Sequence, residues 1–461
     1  MEGLHVSPWL LLPHVQQSGL VNAYGTFSSY YLQHLLPGID VLKLNLVGST
    51  QSFVVLSLSF VIGRILDAGH SQLLIGTGSF FVTLGMFMLS VANGNGQYGQ
   101  GKYGLIWLTQ GFVTGLGMAC FFVSSSQIAA TWFIRKKGFA IGIVASGASI
   151  AGLIYPVMTK FLITEVGFNN AVRYVATVVC LTSVLAFFIA TPRPTHIYRK
   201  PEKWMALKVW VDTQAFRNPA FCWFMAAICF LFFGFYAIFF NLEEWAASEG
   251  FGIKGDTPEG FEVDLQGEVP KDAIRTFWLL SIMNASSTLG RLGSAYLCDH
   301  FGALNVHMTV TLLASLLTLI LWTLTSTLAA GIAFVVLFGI ISGSVIGLPP
   351  ASVAYILGPD PHQQAKLGQW TGMMYTSAAA FALTGPVIAG YLISRFGNYY
   401  TVQGWSGGCL FVSACCMGLA RVYAKNGRGR EFITERKRRL SDGTLSMLKT
   451  LTVEKKNTEE N

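Results

Sequence analysis

Eleven long apolar stretches, separated by short polar segments, constrain this chain more than any other feature of its sequence. A helix needs about 20 apolar residues to cross the hydrocarbon core of a bilayer, and each stretch is long enough. The stretches lie near residues 44–66, 72–92, 104–128, 138–163, 170–190, 220–242, 274–298, 305–326, 328–349, 368–393 and 400–422. A weaker candidate, residues 8–32, is interrupted by Pro13, His14, Gln16 and Gln17. The pattern predicts an all-α membrane protein with twelve transmembrane helices.

The composition agrees with a membrane protein and argues against other classes. Charged residues make up only 12% of the 461 residues, and hydrophobic residues make up 52%. Soluble domains usually contain about 25% charged residues, so this chain has too few to cover a water-exposed surface. A disordered chain, a nucleic-acid-binding domain and most soluble enzymes are therefore excluded. We expect most of the surface to face the lipid bilayer.

Basic residues cluster in three segments that share one side of a twelve-helix arrangement. They are the loop containing Arg135, Lys136 and Lys137, the break at residues 191–219, and the tail that follows residue 420. Short cytoplasmic loops are enriched in Lys and Arg, so both termini are predicted to be cytoplasmic. The same enrichment explains the net charge of +8 without a nucleic-acid partner. Since no organelle signal is readable, we expect the plasma membrane.

The two halves of the chain carry a short repeat. Gly63 stands four residues before Asp67, and Ala295 stands four residues before Asp299, with a glycine within three residues after each aspartate. A chance match is the alternative for so short a pattern, but its position predicts two six-helix halves joined by a linker. The predicted organisation is an atypical N-terminus 1–17, a six-helix half 18–190, a cytoplasmic linker 191–219, a second half 220–424 and a basic cytoplasmic tail 425–461.

Several segments resemble the major facilitator superfamily and, more narrowly, the fungal branch of its monocarboxylate porter family. The likeness is carried by GLVNAYGTF at 19–27, GRILDAG at 63–69, WFIRKKGFA at 132–140, the segment from Gly290 to Asn305, and TGPVIAG at 384–390. The resemblance implies a two-half, twelve-helix fold that transports by alternating access. It also implies a small organic anion of the monocarboxylate type as substrate, with a proton as a candidate co-transported ion.

Two alternatives to a monocarboxylate transporter stay open. Fungal relatives include exporters of acidic secondary metabolites, so efflux of such a compound is the first. The second, of another class, is a membrane sensor that binds a ligand without moving it. The chain also departs from animal members of the family, since Asn22 stands in place of a lysine and Ser287 in place of an aspartate, whereas Arg291 matches.

Arg291 is the strongest candidate for contact with a substrate. A cation inside a transmembrane segment costs about 2.5–3.5 kcal/mol unless it faces a wet cavity or a partner. Its guanidinium suits a carboxylate substrate because it forms two parallel hydrogen bonds with that group. The alternative is that Arg291 extends to the membrane surface or pairs with Asp299.

Four polar residues within apolar helices complete the predicted substrate-binding set. They are Asn22, Tyr24, Asn284 and Tyr375. A buried polar group needs a partner, and a water-filled cavity supplies one. A hydrogen bond between helices is the alternative role of each.

Asp67 and Asp299 are predicted gating residues because each lies where a helix leaves the membrane. Such a carboxylate either pairs with the cluster of Arg135, Lys136 and Lys137 or binds the N-terminus of a neighbouring helix. Both arrangements would hold the inner side closed. An ordinary carboxylate at the membrane surface is the alternative.

Other chemistry finds little support in the sequence. Glu243 and Glu244, at the predicted outer end of the span 220–242, are interpreted as exposed loop carboxylates rather than proton sites. No Walker A sequence, HExxH motif or Cys/His ligand spacing is present, so we predict no cofactor and no metal. The spans lack the clustered His, Asp and Glu of an intramembrane enzyme, and we predict that the chain is not an enzyme.

Overall fold

The structure of the protein, a computed structural model, describes most of the chain between its two terminal segments. The described residues are 20, 24–28, 30–94, 96–132, 137–189, 198–201, 204, 207–253, 274–275 and 277–424. Asn22, Arg135 and Lys136 lie outside the described residues, as do the predicted segments 1–17 and 425–461.

Twelve helical segments of the described residues lie at the predicted spans. Helix α1 is helical at residues 24–28 and ends in a π-helical turn, Tyr31–Leu35. The others are α2 (Leu42–Asp67), α3 (Ser71–Ala92), α4 (Tyr103–Ala129), α5 (Lys137–Val166), α6 (Phe168–Ile189), α7 (Pro219–Ser248), α8 (Phe277–Phe301), α9 (Ala303–Trp322), α10 (Leu328–Gly347), α11 (Leu367–Phe396) and α12 (Tyr400–Ala424). The all-α class is confirmed.

Ten of these helices, all except α1 and α8, are long and apolar enough to cross a membrane. Helix α8 has a sufficient length of 25 residues, but Asn284, Arg291 and several serines make it less apolar. Only part of α1 is described. The predicted count of twelve crossings is therefore supported by length and composition in ten helices, by length and position in α8, and by position alone in α1.

Short elements connect or extend the long helices. They are Leu207–Trp210 and Ala215–Arg217 in the linker, Pro349–Leu357 directly after α10, Pro361–Gln364 before α11, and a parallel pair of two-residue strands, Gly252–Ile253 with Ile274–Arg275. The strand pair lies between α7 and α8.

Local sequence signals determine several helix boundaries. The Asn218 side chain accepts hydrogen bonds from the first turn of α7, and Pro219 occupies a position where no backbone N–H is needed. Gly69 and Gly302, the glycines that follow the repeated aspartates, have φ values of +94° and +86°. These values favour glycine, which explains the glycine after each aspartate of the repeat. Helix α7 continues to Ser248, about two turns past its predicted end at residue 242.

The two halves meet through two pairs of helices. Helix α2 packs against α11, and α5 packs against α8. Small residues permit a close approach, because a Cβ atom on Gly63 would overlap the backbone of Gly368, and one on Gly142 would overlap Ala295. Gly63 and Ala295 are the equivalent positions of the repeat, so both contacts form at equivalent places. The two contacts leave a space between the halves at the centre of the bundle.

Candidate functional site

A cavity of about 190 Å³ lies between the two halves. Its wall is built from α1, α2, α4 and α5 of the first half and from α7, α8, α10 and α11 of the second. Four of the five predicted substrate-binding residues line it, namely Tyr24, Asn284, Arg291 and Tyr375. The fifth, Asn22, lies outside the described residues. The volume is enough for roughly a dozen water molecules or one small organic molecule.

Arg291 projects from α8 into this cavity and is only 8% exposed. Its Nη1 donates a hydrogen bond to the backbone carbonyl of Ala145 on α5, whereas its Nε has no hydrogen-bond partner in the described part of the chain. It forms no ion pair with a carboxylate of the described residues, Asp299 included. Arg291 therefore neither extends to the membrane surface nor pairs with Asp299, the two alternatives considered for it. A buried cation with a single backbone contact is incompletely neutralised.

The other predicted polar residues make contacts with the protein itself. The Tyr24 hydroxyl donates to the backbone carbonyl of Leu44 on α2. Asn284 Nδ2 donates to the Leu280 carbonyl in its own helix, over 3.1 Å. Tyr375 is 3% exposed, and its ring centre lies 4.6 Å from that of Phe122. These contacts fix the cavity wall, and the role of each residue toward a substrate stays a prediction.

An aromatic surface on α7 forms much of the cavity wall, and its three phenylalanines were not predicted from the sequence. It consists of Phe235, Tyr236, Phe239 and Phe240. Phe235 and Phe239 are four residues apart, as are Tyr236 and Phe240, so the two rings of each pair lie one above the other on the helix. The ring centres are 5.0 Å apart in the first pair and 5.9 Å apart in the second. With 34 Phe residues in the chain, no sequence signal singles out these positions.

Glu243 and Glu244 also line the cavity, which corrects their interpretation as exposed loop residues. Both are half-buried and belong to α7, because this helix continues to Ser248. They lie near the end of α7 that is remote from the linker, since the linker leads directly into the start of this helix at Pro219. The cavity therefore extends from Arg291 toward the side of the bundle opposite the linker, which we call the far side.

Asp67 lies on the linker side and joins the two halves there. Its side chain accepts hydrogen bonds from the backbone nitrogens of Gly368, over 3.0 Å, and Gln369, over 2.8 Å. Both nitrogens belong to the first turn of α11, where unpaired N–H groups and the helix dipole attract a carboxylate. Of the two partners predicted for this aspartate, the helix N-terminus is the one observed. Lys137 begins α5, but its side chain is not among those described.

Arg64, one turn before Asp67, attaches the linker to α2. Its Nε donates to the Val209 carbonyl over 2.9 Å, and its Nη1 donates to the Arg199 carbonyl over 2.8 Å. The backbone nitrogen of Arg199 in turn donates to the Asp67 carbonyl, over 2.8 Å. The linker therefore follows the end of α2 closely.

The linker also contacts the start of α11. Asp212 lies 3.0 Å from the ammonium of Lys366 and accepts a hydrogen bond from Trp370 Nε1 over 3.1 Å. Gln369 Nε2 lies 3.1 Å from the Val209 carbonyl. Burial raises the pKa of Asp212, but hydrogen bonds from Trp370, Lys366 and the Gln214 backbone, together with the charge of Lys366, outweigh it, so the pKa lies below its usual value. The described linker residues 198–201, 204 and 207–212 are thus part of the closed linker side, a role that the basic composition of the linker did not indicate.

Asp299 has different surroundings from Asp67, although the repeat predicted equivalent roles. Asp299 is exposed, whereas Asp67 is 7% exposed. The residues that precede α5, including Arg135 and Lys136, lie outside the described part of the chain, so the partner predicted for Asp299 is not described. Its gating role stays a prediction.

No group of three or more His, Cys, Asp or Glu side chains that would hold a metal ion occurs within the described residues.

Comparison with known families and structures gives a consistent result. The family model described as Major Facilitator Superfamily matches residues 10–365. The fold is similar to that of the Escherichia coli fucose:proton symporter FucP, with 14% identity, a TM-score of 0.59, and coverage of 91% of this chain and 98% of that one.

Three fungal proteins are similar in sequence over most of their length. The MFS transporter asaE of Aspergillus flavus is 29% identical over 385 residues, which are 83% of this chain and 78% of that protein. The agnestins efflux protein of Paecilomyces divaricatus is 26% identical over 409 residues, 89% of this chain and 85% of its own. The aspyridones efflux protein of Emericella nidulans is 27% identical over 413 residues, 89% and 76% respectively.

Proposed function

Because the chain belongs to the Major Facilitator Superfamily, we propose that it exports a small organic anion by alternating access, with Arg291 as the contact for the anion. In such a mechanism, two six-helix halves rock about a central site, which opens to one side of the membrane at a time. The central cavity between the halves and the closed linker side agree with one state of this cycle.

The incomplete neutralisation of Arg291 is the observation that carries the proposal. This guanidinium is buried in the cavity wall, its Nε lacks a hydrogen-bond partner within the described residues, and its one hydrogen bond is to the Ala145 carbonyl. Desolvating a cation without a counter-charge is costly, and an anionic substrate would supply both the charge and the missing acceptor. A neutral substrate would leave that cost in place.

The aromatic surface of α7 supports a substrate with an extended apolar part. Phe235, Phe239 and Phe240 line the cavity, and burying apolar area against them contributes about 25 cal/mol per Å². A monocarboxylate of only a few carbon atoms would cover little of this surface. An amphiphilic acid would use both the rings and Arg291. Specificity for small monocarboxylates therefore stays a prediction of the family resemblance, and we favour a larger acid.

Export, rather than uptake, is supported by the names of the relatives. Two of the similar fungal proteins are described as efflux proteins, for agnestins and for aspyridones. We propose export of a comparable acidic secondary metabolite by this chain. The basic linker favours a cytoplasmic location for the closed side, which would make the far side extracellular in the plasma membrane.

A proton is the proposed counter-ion for export. Glu243 and Glu244 line the cavity near the far side, where a carboxylate can take up a proton from the outside. We propose that protonation of one of them accompanies the return of the empty cavity. Replacing both by glutamine would then abolish the dependence of export on a pH gradient.

Metabolite profiling tests the proposed function and identifies the substrate in the same experiment. Cells that lack the gene are complemented with the wild type, with Arg291→Ala, or with Arg395→Ala, an exposed arginine at the end of α11. We expect one acidic compound to accumulate inside the cells that lack the gene and those with Arg291→Ala, and to appear outside the other two. Equal distributions in all four strains would reject export, and normal export by Arg291→Ala would remove Arg291 from the site.

A further inference from the structure

A second cavity, of about 250 Å³, lies on the linker side of the bundle, between the linker and the facing ends of α2 and α11. Its wall includes three basic side chains, those of Arg64, Arg199 and Lys200. Gln369 from the first turn of α11 and Asp212 from the linker complete the polar part of the wall. This cavity is separate from the central one, because the two share no lining residue.

Among the described residues, the charge around this cavity is predominantly positive. Asp212, the one acidic residue that the described part of the wall contains, forms an ion pair with Lys366 over 3.0 Å. Asp67 is nearby, but its side chain already accepts two backbone hydrogen bonds from the first turn of α11. The two carboxylates therefore do not fully balance the three basic residues of the wall, because Asp212 is already paired with Lys366. An anion entering this cavity would meet a net positive field.

Arg64 is arranged to bind a ligand as well as the linker. Its side chain is 4% exposed, and hydrogen bonds to the carbonyls of Val209 and Arg199 fix Nε and Nη1 in place. Arg64 Nη2 donates no hydrogen bond to a described residue, so it is able to donate one to an acceptor in the cavity. A guanidinium that is held in position loses little entropy when it binds.

We propose that this cavity, termed here the linker pocket, binds a phosphate-bearing anion that connects the two halves on the linker side. Two guanidinium groups and one ammonium suit a phosphate, which offers three or more acceptor oxygens and up to two charges, better than a carboxylate with two oxygens and one charge. Arg64 belongs to the first half, Gln369 to the second, and Arg199 and Lys200 to the linker. A ligand held by all three would stabilise the closed linker side and disfavour its opening.

The phosphate has two possible sources at this location. The linker pocket lies at the end of the membrane-spanning helix α2, the level at which phospholipid headgroups lie. Soluble phosphate compounds would reach the same basic side chains from the aqueous side. The inference goes beyond the proposed function, and it requires neither export nor an identified substrate.

Binding is tested with full-length purified protein in phosphatidylcholine nanodiscs, with thermal unfolding as the readout. One arm adds inorganic phosphate or inositol hexakisphosphate at constant ionic strength, and the other includes phosphatidic acid in the bilayer. The test variant is Arg199→Gln/Lys200→Gln, which leaves the Arg64 contacts with the linker backbone in place. The matched control is Arg173→Gln/Arg395→Gln, which removes two exposed arginines remote from the linker pocket.

We expect a saturable rise in Tm in at least one arm, and the arm that responds identifies the source. The variant loses two of the three basic side chains that attract the anion, so it should bind about 25-fold more weakly. The control variant should bind as the wild type does. The proposal is overturned if neither arm gives a saturable rise, or if the test variant responds with wild-type affinity.

Discussion

The carboxylate of Asp67 lies 2.8 Å from the backbone nitrogen of Gln369, 302 residues further along the chain. This contact connects the last residue of α2 with the first turn of α11, and thus connects the two halves of the transporter. A second hydrogen bond, from Gly368 over 3.0 Å, uses the other carboxylate oxygen. Asp67 therefore stabilises the closed linker side by binding a helix N-terminus directly.

Replacing Asp67 by asparagine should loosen this side. Hydrogen bonds to a charged group contribute about 1.5–3 kcal/mol, roughly twice as much as neutral ones. The Asp67→Asn variant keeps one acceptor oxygen and loses the charge, so we expect about tenfold faster hydrogen exchange at Gly368 and Gln369. Exchange measured by mass spectrometry on the peptide that covers 366–370 checks this. Asp299→Asn is the comparison, and equal acceleration by both variants would contradict a special role for Asp67.

The ion pair of Asp212 with Lys366 should make attachment of the linker sensitive to strong acid only. Hydrogen bonds from Trp370, Lys366 and the Gln214 backbone, together with the charge of Lys366, outweigh burial and keep the pKa of Asp212 below its usual value. A lowered pKa stabilises the folded state above the unfolded value of about 3.9, and this contribution is lost as the pH falls through the folded value. We expect Asp212→Asn to cost about 1 kcal/mol at neutral pH, and progressively less as the pH falls below the unfolded value. The free energy of unfolding of the wild type and of Asp212→Asn, measured from neutral to acidic pH, tests this prediction. A destabilisation that grows on acidification would contradict it.

Gly290 should tolerate no larger residue, because it brings α8 and α10 together. A Cβ atom at this position would overlap the backbone carbonyl of Ile340. Gly290→Ala is therefore expected to lower stability by about 1–3 kcal/mol, the usual cost of overpacking. Gly293, on the same helix, is the control, since an added Cβ would meet no described atom within 4 Å. Thermal unfolding of both variants is the measurement, and equal stability would contradict the packing argument.

The aromatic surface of α7 should contribute to affinity for the exported compound. Replacing Phe239 by leucine removes a ring from the cavity wall, and aromatic contacts contribute about 0.5–1.5 kcal/mol beyond their buried area. We expect a loss of about fivefold in affinity for a substrate with an aromatic or conjugated part. Phe233→Leu is the matched control, because Phe233 packs against Phe381 and Trp405 and does not line the cavity. Equal losses in both variants would argue against binding on this surface.

Much of the fold could be predicted from the sequence because a bilayer imposes a length and an apolar composition on each crossing. The glycines that follow Asp67 and Asp299 in the repeat, Gly69 and Gly302, both have positive φ values, so the repeat marks turns of similar conformation. The end of α7 was predicted wrongly at residue 242. The residues that follow position 242, which include Glu243 and Glu244, are more polar than the rest of the helix but are still helical.

The site was predictable where a residue was chemically exceptional within its segment. Arg291 is the single arginine or lysine of α8, and it lies in the cavity wall. Phe239 is one of 34 Phe residues, so only the fold shows that it faces the cavity. The contacts of the linker with α2 and α11 join residues more than a hundred positions apart, and neither spacing nor charge reveals such pairs.

The most direct test of the account is the binding of the exported compound, once profiling has identified it, to purified wild-type protein and to Arg291→Gln. Its neutral methyl ester is measured alongside the anion. A charged hydrogen bond contributes about 1.5–3 kcal/mol, so the wild type should bind the anion at least about tenfold more tightly than the ester. In Arg291→Gln this preference should disappear, with the ester bound as in the wild type. An undiminished preference for the anion in that variant would contradict the central claim that Arg291 neutralises the substrate.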